Sequence, residues 1–186
     1  MSSRRAFAAF CACLSLTTSA AGPSVDYYTI RGSTARELRA DMNRLGPSND
    51  AGVRNDGYTH WDIQWRYAYD RTVGGCTAGN FRVTLQARMT LPRWDPPAGV
   101  PQALIARWKR FADALRVHED GHYELAVAAA DEVRRVLHTN RTGDDCGRLG
   151  KRLDAAAAAV LADLRLRQAR YDRDTDSGRK QGVGIL

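Results

Sequence analysis

Two long runs of strict alternation constrain the fold more than any other feature of this chain. From Thr59 to Tyr69 every odd position is apolar or aromatic: Trp61, Ile63, Trp65, Tyr67 and Tyr69. From Phe81 to Leu91 the pattern returns as Phe81, Val83, Leu85, Ala87, Met89 and Leu91. Successive side chains of a strand point to opposite faces, so such runs make strands with one buried face. Gly74-Gly75-Cys76 and Gly79-Asn80 lie between them and supply turn residues, which predicts an antiparallel hairpin. A shorter strand is expected over Asp26 to Arg31.

The buried face needs a cover, and the rest of the chain offers helices. Thr34 and Glu37 have capping-box spacing ahead of Leu38, Met42 and Leu45, a short helix closed by Gly46-Pro47. Pro92 to Pro101 reads as a linker. Beyond it, Leu104, Trp108, Phe111, Leu115, His118, His122, Leu125, Ala129, Val133 and Val136 recur at three- and four-residue steps. That stripe belongs to the core-facing side of a helix running to about His138. Asn140 to Gly147 is a turn, and a second long helix is expected over Arg148 to Ala169. The tail from Tyr171 is polar and glycine-containing and reads as irregular. The expected fold is α+β, a small antiparallel sheet packed on two long helices.

The N-terminus does not belong to that fold. Arg4 and Arg5 precede an apolar stretch from Ala6 to Leu16 and a small-residue segment ending at Ala20-Ala21, the layout of a secretory signal peptide. Residues 1–21 are therefore assigned to a signal peptide and 22–186 to one domain, which places the protein in the periplasm or outside the cell. The apolar run is too short to span a bilayer. Without that segment the net charge drops from +7 to +5. The basic residues are spread along solvated helix faces with no aromatic-interleaved stripe, which argues against nucleic-acid binding and leaves only weak attraction to an anionic envelope surface. Two cysteines lie beyond the signal, Cys76 and Cys146, and an even pair in an oxidising compartment reads as one disulfide.

The helical stripe carries the chemistry. His118-Glu119-Asp120-Gly121-His122 places two imidazoles four residues apart on one helix face, the spacing with which a helix offers two nitrogens to a single Zn²⁺. Glu119 is the carboxylate beside them. Zinc lowers the pKa of water toward neutrality, and a neighbouring carboxylate accepts the proton. Glu119 is thus the candidate general base, and His118 and His122 the candidate metal ligands. The third ligand must come from another segment. Glu124 and Asp131 point away from the pair, and Glu132 lies roughly 15 Å further along the axis. His60 and His138 read as surface residues. The tail Tyr171-Asp172-Arg173-Asp174-Thr175-Asp176-Ser177-Gly178 is the richest source, with Asp176 and Asp172 as candidates. Tyr123 and Tyr171 are candidates for stabilising an oxyanion. Gly121, unfavourable in a helix interior, suggests close approach of another backbone segment.

These residues resemble a bacterial family of unknown function described as predicted secreted zinc-dependent proteases. The likeness takes in the signal, the HEDGH motif, the aromatic strand Trp61 to Tyr69, Cys76, Cys146, and the closing Tyr171-Asp172, Thr175, Gly178 and Gln181-Gly182. It implies an exported zincin-like hydrolase, a peptidase acting on peptide or protein, with Zn²⁺ as cofactor. The family's tail carries a histidine just before the glycine, where this chain has Ser177. Loss of that histidine leaves two readings: an aspartate, Asp172 or Asp176, substitutes, or the chain is a catalytically inactive envelope domain that keeps the fold.

Overall fold

A computed structural model describes residues 22–49 and 52–186 of the chain. The segment read as a signal peptide lies outside them. The elements in chain order are β1 (Ser24–Ile30), α1 (Ala35–Leu45), β2 (Tyr58–Thr72), β3 (Gly75–Trp94), α2 (Gln102–Thr139), β4 (Thr142–Gly143) and α3 (Cys146–Thr175), followed by a 3₁₀ turn, Arg179–Gln181. The fold is α+β. Among the described residues no helix is long and apolar enough to cross a membrane.

The alternating runs form the expected hairpin, with β2 and β3 antiparallel from Tyr58↔Thr90 to Thr72↔Gly75. The turn is tighter than the sequence suggests: the strands continue to Thr72 and Gly75, and Gly79-Asn80 is not part of it. Between Arg66↔Arg82 and Ala68↔Gly79, one residue of β2 opposes two of β3. Asn80 takes a left-handed conformation there (φ 52°), so the segment is a β-bulge. The extra residue reverses the phase of the alternation. Cys76 and Ala78 are buried at even positions before it, and Val83, Met89 and Leu91 at odd positions after it. One face of a long strand is thereby kept against the core on both sides of the bulge.

The sheet is mixed, not purely antiparallel as expected. β1 lies parallel to the end of β3, from Ser24↔Arg88 to Ile30↔Trp94, in the order β1-β3-β2. A parallel pair needs a long connection. Here α1, the following loop and the reversing strand β2 provide it. Pro92 is part of β3 rather than of a linker. The β2 ladder ends at Thr90, so Pro92 faces a single partner strand, a position where its missing N–H is tolerated.

The long helix α2 runs unbroken for 38 residues and serves two cores. Its first half supplies Phe111 and Leu115 to a cluster with Ile30, Leu38, Met42, Met89 and Trp94. Its second half supplies Ala126, Ala129, Val133 and Leu137 to a cluster with Ile63, Val83, Leu149, Leu153 and Leu164. Burying each large side chain contributes about 1.5–3 kcal/mol relative to exposure. His118 and Glu119 fall between the two clusters and are nonetheless buried, at 5% and 3% exposure.

α3 extends beyond its expected end, through Tyr171 and Asp172 to Thr175. It crosses the aromatic face of β2 in the reverse direction. Tyr67 and Trp65 both donate to Asp154, at 2.9 and 3.0 Å, and further along Arg165 lies over Trp61. The Cys76–Cys146 disulfide, as expected, ties the hairpin to the start of α3 across a separation of 70 residues. After α3, Val183 and Ile185 return to the first cluster and are buried there.

Candidate metal centre

Three side chains from two antiparallel helices converge. His118 and His122 come from α2 and Asp172 from α3. The Nε2 atoms of the histidines are 3.3 Å apart. Asp172 Oδ1 lies 3.0 Å from His122 Nε2 and 3.4 Å from His118 Nε2. Donor atoms at 2.0–2.1 Å around a tetrahedral ion stand about 3.3 Å from one another. The triangle has that size.

The protons on the imidazoles are fixed from behind. Gln168, one turn before Asp172 on α3, donates its amide N–H to the His122 carbonyl at 3.0 Å. Its oxygen is thereby turned to His122 Nδ1, which donates to it. Gln181, from the 3₁₀ turn, donates to the Tyr171 hydroxyl at 3.0 Å and receives His118 Nδ1–H at 2.9 Å. Each neutral imidazole thus carries its proton on Nδ1 and turns a bare Nε2 inward. Two nitrogen lone pairs and a carboxylate oxygen then face one another, an arrangement that repels itself unless a cation sits among them. Hydrogen bonding from the far ring nitrogen to an oxygen is the usual way in which metal-binding histidines are oriented.

Glu119 lies beside this set. Its Oε2 accepts the Thr59 hydroxyl at 2.7 Å, a contact that joins the start of β2 to α2. Burial pushes the Glu119 carboxyl above its ordinary range, outweighing the Thr59 hydrogen bond and the two imidazoles. Burial also acts upward on Asp172, but His118 and His122, in the protonated form that donates from Nε2, overcome it and hold that carboxyl well below the usual range. His122 is lowered by burial, yet its bonds to Asp172 and Gln168 leave it raised overall. Environments that drive two carboxyls apart in this way equip one to remain an anion and the other to exchange protons.

Two glycines let the helices and the tail close on the centre. Tyr171 stacks on His118, with centroids 5.1 Å apart and planes 12° apart, and meets His122 edge-on. Its ring lies directly against Gly121, where any Cβ would overlap the ring and its hydroxyl. The glycine therefore admits an aromatic side chain, not the backbone segment that the sequence suggested. Gly178, at φ 81°, lies against His118, and a Cβ there would come within 3.1 Å of the imidazole. Gly121→Ala is expected to lower the melting temperature and weaken metal retention, although alanine is the better helix former by about 1 kcal/mol. Overpacking of about 1–3 kcal/mol outweighs that gain, because Tyr171 must leave His118. A thermal melt with and without added zinc checks both effects.

Not every candidate is brought together. Asp176 is exposed at the left-handed C-cap of α3 (φ 53°) and pairs with Arg179, at 2.8 Å to its Nε, so it does not reach the histidines. Helix continues three residues past Asp172, to Thr175, which carries Asp176 beyond the centre. Tyr123 is buried on α2, and Tyr171 packs its ring on both histidines while its hydroxyl accepts the Gln181 amide. His60 is exposed on β2, and His138 packs on Phe81 with centroids 4.6 Å apart. Thr59, Gln168 and Gln181 were not singled out by sequence. Only Gln181 carried a signal, as part of the closing Gln181-Gly182.

The centre opens into a cleft of about 690 Å³ that also exposes Trp61, Arg165 and the C-terminal segment. A family described as "bacterial protein of unknown function (DUF922)" matches residues 25–179. The chain belongs to this family. The DUF922 match begins in β1 and ends in the 3₁₀ turn, so it spans Thr59, the HEDGH helix and Asp172, while Gln181 lies just past it. No curated protein and no solved structure matches the chain.

Proposed function

We propose that the protein is an exported zinc-dependent hydrolase, a peptidase, with His118, His122 and Asp172 as metal ligands and Glu119 as general base. The observation that carries this reading is the convergence, 3.0–3.4 Å apart, of a carboxylate oxygen and two imidazole nitrogens whose rings keep their proton on the outer nitrogen. When bound, Zn²⁺ supplies Lewis-acid activation of water and polarisation of a carbonyl. Glu119 has one oxygen held by Thr59, which leaves Oε1 to accept a proton and return it. Asp172 fills the third position, so Ser177 is not needed as a ligand.

The setting supports a peptide substrate. β2 pairs with β3 on one side and, among the described residues, with no strand on the other. Its first residues, Tyr58, Thr59 and Trp61, form a wall of the cleft. An extended peptide adds to such an edge through main-chain hydrogen bonds. The Cys76–Cys146 disulfide suits an oxidising compartment and so supports export.

Metal content tests the reading. The mature protein, purified and mildly dialysed, is expected to hold about one zinc per chain by elemental mass spectrometry. His118→Ala and Asp172→Ala are each expected to lose it. Folded protein with no zinc in wild type or variants sinks the enzyme reading and favours an inactive envelope domain.

A further inference from the structure

Arginines dominate the charge of the cleft wall, and their partners distinguish them. Arg39 is matched by Asp56 at 2.5 Å, and Arg179 by Asp176. Arg54 donates to the Gly46 carbonyl at 2.7 Å. Arg165 is different: its guanidinium lies 5.9 Å from the centroid of the Trp61 ring and has neither a carboxylate nor a hydrogen-bond acceptor as partner among the described residues. The aromatic face steadies the cation, while the planar fork of donors stays free to meet an anion.

Both partners are held in register with the centre. On α3, Arg165, Gln168 and Asp172 share one face, and Arg165 precedes Asp172 by about 10 Å along the axis. On β2, Thr59 holds Glu119, and Trp61 lies on the same face about 7 Å further along. Strand and helix thus place Arg165 and Trp61 together to one side of the centre, about 7–10 Å along the two elements. We propose that Arg165, seated on Trp61, is a carboxylate-binding subsite of this cleft, so that the preferred substrate is a peptide with an acidic group about two residues from the bond cut. This rests on the peptidase reading above. The group is an acidic side chain or a free chain terminus, which present the same chemistry to a guanidinium fork.

The test uses the zinc-loaded mature protein and end-blocked neutral peptides in which a single Glu is walked along the chain. Each has a Gln counterpart, and a parallel set carries a free C-terminal carboxylate. Cut positions are mapped by mass spectrometry. Glu peptides are expected to be cut two or three residues from the acid, with kcat/KM about tenfold above the Gln counterparts. Arg165→Gln brings that ratio to about one, and Arg165→Glu takes it below one. Preference confined to the free-carboxylate set identifies the terminus as the group bound. Equal cutting of Glu and Gln peptides by wild type overturns the proposal and leaves the peptidase reading standing. So does an acid preference that survives Arg165→Gln but is lost in Arg54→Gln. Failure to cut any peptide, by protein that holds zinc, removes the peptidase reading and the proposal with it.

Discussion

Glu119→Gln is expected to reduce hydrolysis by about 10²–10⁴-fold while zinc content stays at the wild-type level. The two effects separate because the residues have separate tasks. On the proposed reading zinc is held by His118, His122 and Asp172, whose donor atoms the substitution leaves in place. Glutamine is close in size to glutamate, and its carbonyl oxygen still accepts the Thr59 hydroxyl that Glu119 Oε2 now accepts at 2.7 Å. What disappears is the oxygen able to take up a proton. Zinc stoichiometry and peptide hydrolysis, measured on the same preparation, check the prediction. A variant that keeps full biological activity supports the inactive-domain reading instead. Loss of zinc along with activity shows that Glu119 helps to build the centre rather than only working beside it.

Removing the Cys76–Cys146 disulfide with paired serine substitutions is expected to destabilise the fold by about 4 kcal/mol, from the loop entropy released to the unfolded chain. For a domain of this size that corresponds to about 10 °C in melting temperature. The bridge closes 70 residues that include all of α2, so the unfolded chain gains much freedom without it. The metal centre itself should be spared at room temperature. Cys146 opens α3, and Asp172 lies about 39 Å along the same helix. Thermal unfolding with zinc content measured before heating checks both parts. A variant that melts like wild type removes the disulfide from the account of stability.

The parts of the site that were legible in the sequence are the local ones. His118, Glu119 and His122 lie within five positions on one helix, so their spacing alone aligns them. Asp172 was found only as one of two carboxylates, because choosing between them requires knowing how far α3 runs. Apolar periodicity fades after Leu166, and the tail then reads as irregular. The helix persists because its inward face there packs on the centre instead of on an apolar core. Gln168, Tyr171 and Asp172 are inward-facing, and two of the three are polar. The same reasoning explains why Thr59 and Gln168 passed unnoticed: a single hydroxyl or amide makes no pattern until the fold shows what it touches. The hairpin was legible through its alternation, and its bulge was not, since Gly79-Asn80 looks equally like a turn. The parallel pairing of β1 depends on which strand its seven residues meet, and alternation carries no such information.

The donors and their supports are scattered from Thr59 to Gln181. In a chain synthesised from its N-terminus onward, both histidines emerge well before Asp172 and Gln181. Until α3 has docked against α2, two imidazoles on a solitary helix make a poor trap for an ion, and the carboxylate beside them has nothing to act on. A metal bound at this set would therefore be captured as the closing event of folding and would stabilise only the finished molecule. If the proposed function holds, a half-made or still-threading chain carries the motif but not the assembled ligand set, and metal-dependent hydrolysis is confined to the finished fold.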